Sequence, residues 1–240
     1  MYSSLSIFLF SLPFLHAAGT GTGTGTLGTA TTQNGLTDGT GCKAMTVIFA
    51  RGTTEQGNVG SLSGPPFFAS LAASVGMENL AVQGVEYPAD IPGFLAGGDA
   101  NGSKTMAQLV TQAMTQCPNT KVVMSGYSQG GQLVHNAAKM MDAATSAKVN
   151  SVLIFGDPNN GTAVGSILAS KTKVICHDGD NICQHGDQIL QPYLTYSMNA
   201  DEAAKFVASA AGMAESAKGK ETSTAPPKGT GTGTAKKFVA

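Results

Sequence analysis

The residues best placed to do chemistry gather at Gly126-Tyr127-Ser128-Gln129-Gly130, a serine held between glycines. Val122, Val123 and Met124 precede it as an apolar run, and Leu133, Val134, Ala137, Ala138 and Met141 recur at helical spacing behind it. Strand, tight turn and helix in that order is the setting that lifts a serine hydroxyl out of the backbone as a nucleophile. The glycines keep Cβ atoms out of the crowded turn, and the helix N-terminus favours negative charge developing beside it. A serine that attacks a carbonyl carbon needs a base, a carboxylate to orient that base, and donors for the oxyanion. In this architecture the carboxylate and then the base follow the serine along the chain. Two carboxylates qualify: Asp157 in Gly156-Asp157-Pro158, and Asp180 between Cys176 and Cys183. Asp180 is preferred, because a disulfide joining those cysteines would fix its position.

The base is harder to place. His135 lies on the helix behind the serine, where it packs or faces solvent, and His177 ends a strand and reads as structural. His185 follows Asp180 in the required order, and five residues span at most ~17 Å, so it is the candidate base. Cys176, His177, Asp178, Asp180, Cys183, His185 and Asp187 also crowd together in a pattern that invites a metal. Zinc is disfavoured because an oxidising compartment would take the thiols first. Calcium is disfavoured because the twelfth position counted from Asp178 is Ile189, not a bidentate Glu. No metal and no cofactor is expected.

These residues need a scaffold. Apolar runs rich in Val and Ile at 44–50, 80–86, 121–125, 149–155 and 173–176 read as five strands of a buried sheet. Helical spacing appears between or after them in Met106, Leu109, Val110, Ala113 and Met114, in the run behind Ser128, and in Ala204, Phe206, Val207 and Ala210. Residues 65–75 add a helix with proline at its start, where a missing N–H costs nothing. Such alternation predicts an α/β fold: a central, mostly parallel five-stranded sheet with helices on both faces. Ligands bind such sheets at the carboxyl ends of the strands.

Composition bounds the function. Charged residues are 12% of the 240, and 14 Lys and Arg against 15 Asp and Glu give a net charge of −1. No nucleic acid is expected as a partner, because no basic footprint for a phosphate backbone is present. Apolar residues at 42% suffice for a core. The apolar run 5–15, followed by Ala17, Ala18 and Gly19, reads as a signal peptide over 1–18, too short to span a bilayer. A secreted, extracellular protein without a membrane anchor follows. Gly/Thr-rich stretches at 19–41 and within 213–240 lack apolar periodicity and read as flexible tails, leaving 42–212 as a single catalytic domain. Four cysteines behind a signal peptide favour two disulfides, with three pairings open. Asn101-Gly102-Ser103 and Asn160-Gly161-Thr162 are sequons that fit secretion.

Four ordered motifs then bring a family into view. Cys42, the stretch Ala50-Arg51-Gly52-Thr53-Thr54-Glu55-Gln56-Gly57-Asn58, the Gly126–Gly130 turn, and Cys176-His177-Asp178-Gly179-Asp180-Asn181-Ile182-Cys183 together resemble the fungal cutinases over nearly all of 42–207. The resemblance implies a lidless α/β-hydrolase fold, disulfides Cys42–Cys117 and Cys176–Cys183, and a monomeric serine esterase acting on cutin-like polyester or short-chain esters. It implies Ser128 as nucleophile and Asp180 as triad carboxylate. The oxyanion hole falls to Thr53, through backbone N–H and hydroxyl, and to the backbone N–H of Gln129. Acetylxylan esterases share much of the pattern. One position departs: the family's catalytic histidine, in a Pro-His-Leu-x-Tyr setting, corresponds to Tyr193 in Gln191-Pro192-Tyr193-Leu194-Thr195-Tyr196. A phenol with pKa ~10 keeps its proton at neutral pH and is a poor base for a serine. The alternative function is therefore a surface-binding protein of the same fold with its triad broken at Tyr193.

Overall fold

The structure, a computed structural model, describes residues 27–214. The leader over 1–18 and nearly all of the tail over 213–240 lie outside the described residues. Five strands form one parallel sheet: β1 (Met45–Ala50), β2 (Leu80–Gly84), β3 (Lys121–Tyr127), β4 (Ser151–Phe155) and β5 (Thr172–Ile175), in the order β2-β1-β3-β4-β5. Around it pack α1 (Gly64–Val75), α2 (Ile91–Leu95), α3 (Ala100–Gln116), α4 (Gln129–Met140), α5 (Ala143–Lys148) and α6 (Ala200–Ala210).

Both faces of the sheet are buried, which the period-two pattern of β1 makes explicit. Val47 and Phe49 join the cluster under α1 and α6, with Phe67, Leu71 and Val207. Ile48 and Ala50 join the cluster under α3 and α4, with Met106, Val110 and Leu133. Each strand therefore reads as a nearly continuous apolar run, as expected for parallel strands covered twice. Among the described residues no helix is long and apolar enough to cross a membrane.

The strand order places the site. From β1 the chain steps one way to β2, then returns past β1 to β3 and onward. The crevice at the carboxyl ends of β1 and β3 is thus the switch point where such sheets bind ligands. The register pairs Ala50 with Gly126, so the loops leaving these two strands start side by side.

The structure differs from the expected unpaired stretch ahead of Cys42. Gly35 N–H donates to Val82 O at 2.8 Å, Gly84 N–H donates to Gln33 O at 2.8 Å, and Asn34 bridges Gln83 in antiparallel sense. Backbone pairing, with Thr37 Oγ1 donating to Gln83 Oε1 at 3.0 Å and Asn58 Nδ2 donating to Asn34 Oδ1 at 2.9 Å, lets a Gly/Thr-rich segment dock there without the apolar periodicity that would have announced it. Cys42 and Cys117 are bonded, as are Cys176 and Cys183, and free cysteines are absent among the described residues.

Candidate active site

Ser128 leaves β3 at φ 55° and ψ −119°, a backbone strained for any residue with a Cβ, and α4 begins immediately after it. Its N–H donates to Phe155 O at 3.0 Å, and its carbonyl accepts from Gly131 N–H at 2.7 Å. The turn is so tight that a Cβ on Gly126 would sit 2.4 Å from the Gly130 backbone, and one on Gly130 would sit 2.0 Å from Ala50 O. Both glycines are demanded by this packing. As the first residue of α4, Gln129 keeps a backbone N–H that no preceding helical carbonyl can use.

Thr53 comes from the loop after β1, and its neighbours are anchored by charge. Arg51 donates through Nε to Glu55 O at 2.7 Å and through an Nη to Tyr87 O at 2.8 Å. The Glu55 carboxylate accepts from the backbone N–H groups of Gly52 at 2.8 Å, Ser61 at 2.8 Å and Leu62 at 2.9 Å. Thr53 Oγ1 accepts from the Gln129 side-chain Nε2 at 2.9 Å. Ser128 and Thr53 thus face one cleft of about 800 Å³, whose walls include Leu62, Phe94, Ile182 and Tyr193 and whose lip carries the exposed Ile91, Leu95, Ile189 and Leu194.

Asp180 is fully buried within the loop closed by Cys176–Cys183. One carboxylate oxygen accepts from Ile182 N–H at 2.9 Å and the other from the Tyr196 hydroxyl at 2.5 Å. No imidazole is hydrogen-bonded to it among the described residues. Tyr193 and Tyr196 share the 3₁₀ segment Gln191–Asn199. At three residues per turn such spacing stacks them on one face. The Tyr193 ring lies 4.9 Å from that of Tyr127, whose hydroxyl donates to Tyr193 O at 2.9 Å. Burial pushes the Tyr193 phenol above its ordinary value, and hydrogen bonding with the Ser128 and Tyr127 side chains opposes this only in part. At neutral pH the residue beside Ser128 is a neutral phenol.

The histidines lie elsewhere. His185 sits in a left-handed conformation with Nδ1 on Pro158 O at 2.8 Å, and it is not among the residues lining the cleft. The expectation that it serves as base gains no support from this placement. His177 stacks on Tyr196 at 4.3 Å, with Nδ1 on Pro192 O at 2.8 Å and Nε2 on Asn199 Oδ1 at 2.6 Å, so it holds the 3₁₀ segment down. His135 is wholly buried, with Nε2 2.9 Å from Asp157, which also accepts from Asn159 N–H at 2.9 Å. Asp157, the rival carboxylate, is thus committed to the back of α4. Among the described residues no group of three or more His, Cys, Asp or Glu is placed to hold a metal ion. Two participants escaped sequence reasoning, Tyr196 as the partner of Asp180 and the Gln129 side chain as the partner of Thr53. The only available signal for the first was the spacing of Tyr193 and Tyr196.

A family model described as Cutinase matches residues 41–211. Among curated relatives, a cutinase of Botryotinia fuckeliana is 57% identical over 172 residues, covering 72% of this chain and 85% of its own. A cutinase of Monilinia fructicola is 59% identical over 171 residues, covering 71% and 85%. Among solved structures, a Trichoderma reesei cutinase in complex with a phosphonate inhibitor superposes with TM-score 0.72 at 49% identity, over 77% of this chain and 81% of that one. An acetylxylan esterase shares the fold, with TM-score 0.60 at 22% identity over 71% and 99% of the two chains.

Proposed function

Because the chain belongs to the cutinase family, whose members are carboxylic ester hydrolases, we propose that it cleaves aliphatic esters of the cutin kind through an acyl-enzyme on Ser128. The observation that carries this is the strained Ser128 turn opening into the cleft beside Thr53. Ser128 Oγ adds to the ester carbonyl carbon, and the carbonyl oxygen becomes an oxyanion received by Thr53 and the Gln129 backbone N–H. The serine proton passes through the base to the departing alkoxide, the alcohol leaves, and water then releases the acid by the same steps in reverse. Asp180 is the orienting carboxylate of this reading. The Tyr193 phenol stands where the proton must pass, and it makes that step slow. His185 becomes the base only by leaving Pro158. The apolar lip favours a fatty acyl or polyester chain over a sugar-borne acetyl group. The protein acts outside the cell as a monomer, released by cleavage of a leader over 1–18.

One observation favours the second reading, a surface-binding protein: Asp180 is occupied by Tyr196 and the cleft lining contains no imidazole. Hydrolysis of p-nitrophenyl butyrate by the wild type, Ser128→Ala, His185→Ala and Tyr193→His separates the two. Activity in the wild type or in Tyr193→His that Ser128→Ala removes supports the esterase. Loss in His185→Ala assigns the base to His185, and no hydrolysis by any variant leaves only the binding protein.

A further inference from the structure

The segment 90–98 carries α2 and with it Ile91, Phe94 and Leu95 of the cleft. It is held to the nucleophile helix by a row of side-chain amides. Gln129, Gln132 and Asn136 lie at i, i+3 and i+7 on α4, one face of the helix. They donate to Asp90 O at 2.8 Å, Phe94 O at 3.2 Å and Gly97 O at 2.9 Å. The first rung differs from the others, since Gln129 Nε2 also donates to Thr53 Oγ1 at 2.9 Å. An amide nitrogen has two protons, and both are used. The orientation of the amide is fixed by chemistry, because turning it over would set Gln129 Oε1 against the Asp90 carbonyl. Segment 90–98 passes so close to this group that a Cβ added at Gly93 would lie 2.8 Å from Gln129 Oε1.

We propose that the Gln129 side chain is a positioning residue that couples the flap over 90–98 to the oxyanion hole. By occupying an acceptor site on Thr53 Oγ1, the Nε2 proton leaves the Thr53 hydroxyl to donate its own proton into the cleft. By holding Asp90 with its other proton, the same nitrogen ties the direction of that hydroxyl to the position of the apolar lip. A chain seated on Ile91, Phe94 and Leu95 therefore bears on a donor at the reacting centre. This coupling rests on the reading of Thr53 as an oxyanion donor, and it assigns the Gln129 side chain a role distinct from that of its backbone N–H.

The test is a double-mutant cycle with p-nitrophenyl butyrate, measuring kcat and KM for Gln129→Met, Thr53→Val and the pair. Each is made in the wild type and again in Tyr193→His, so that a slow proton step does not hide the effect. Losing one oriented oxyanion donor costs about 10²-fold in kcat. Gln129→Met is expected to show that loss with KM within about twofold when Thr53 is present, and under about threefold when Thr53→Val has removed the hydroxyl. An equal loss in both backgrounds, or a change confined to KM, overturns the coupling. If Thr53→Val alone leaves kcat intact, the oxyanion role of the hydroxyl falls first and the coupling with it. A chain inert in every background overturns the catalytic reading itself. Should Gln129→Met fail to fold, Gln129→Asn takes its place, with an amide one methylene too short to span both acceptors.

Discussion

Replacing Tyr193 by histidine should raise activity while lowering stability, and both magnitudes follow from the site. An ordinary phenol with pKa ~10 offers about 10⁻³ of its population as base at pH 7, whereas an imidazole near 6.5 offers about three-quarters. Burial raises the Tyr193 phenol further, so the phenolate is scarcer still. The phenolate is the stronger base and recovers part of the deficit per molecule, since proton-transfer rates rise with basicity along a Brønsted line. At a slope near one half, the ~3.5-unit difference recovers roughly 50-fold of an approximately 10³-fold deficit. The net gain is about 10- to 100-fold in kcat for p-nitrophenyl butyrate at pH 7. Asp180 can still accept from a new imidazole, because a carboxylate has about four acceptor sites and Tyr196 and Ile182 N–H take two. Stability moves the other way. The Tyr193 ring packs on Tyr127 at 4.9 Å and is 5% exposed, so its loss costs about 1–3 kcal/mol, or roughly 5 °C in Tm. The pH profile adds a third signature. Wild-type kcat should climb through pH 6–9 without levelling, because its base titrates above the ordinary tyrosine range, whereas Tyr193→His should level near pH 7–8. A fast wild type with a flat profile, unimproved by Tyr193→His, would falsify this reasoning and place the base elsewhere.

Other consequences are open to direct measurement. Tyr87, Tyr127, Tyr193 and Tyr196 all have phenols raised, chiefly by burial. Their folded-state values exceed the unfolded ~10, so the stability they contribute is intact below pH ~10 and is lost as pH rises beyond it. Alkaline unfolding followed by circular dichroism should coincide with tyrosinate absorbance at 295 nm, and ionisation well ahead of unfolding would contradict the burial. Opening Cys42–Cys117, with a separation of 75, should cost about 4.5 kcal/mol against about 2.5 for Cys176–Cys183, with a separation of 7. Denaturant unfolding of paired Cys→Ser variants measures both. Only the shorter bridge should also lower kcat, because its loop carries Asp180. Asp157→Ala strands the buried His135 and should cost about 3 kcal/mol, and a loss under about 1 in urea unfolding would show that the pair is not strained by separation.

The sheet was legible in the sequence because parallel strands buried on both faces are written as local apolar runs, and all five predicted strands end within two residues of where the structure ends them. The turn at Ser128 was legible for the same reason, since its strand, glycines and helix are contiguous. What escaped depends on distance or on weak periodicity. The bond between Tyr196 and Asp180 joins an irregular 3₁₀ segment to a disulfide loop, and neither has a repeat that says which side chain faces inward. His135 and Asp157 meet because β4 ends beside α4, a consequence of strand order. The short helix α2 did carry local signals, an Asp90 side chain capping Gly93 N–H and a proline in its first turn, yet Pro92-Gly93 reads first as a break. The docked segment ahead of β1 uses backbone pairing and isolated bonds to the Asn58 and Gln83 side chains, neither of which leaves a periodic pattern.

On the proposed reading the site divides into two halves with different dependence on the fold. The oxyanion half rests on the carboxyl ends of β1 and β3 and the first turn of α4, where glycine packing and strand register leave little freedom. The proton half rests on the loop after β5, which carries Asp180, and on the 3₁₀ segment, which carries Tyr193. A tyrosine at 193 packs well there, sharing the aromatic cluster of Tyr127 and Tyr196. If acylation and deacylation use one base at this position, as proposed, the phenol slows both steps and leaves the oxyanion half untouched. That half by itself is worth ~10³–10⁴ over water in serine hydrolases. The proposed mechanism thus predicts a slow enzyme whose missing factor is confined to the side chain at 193.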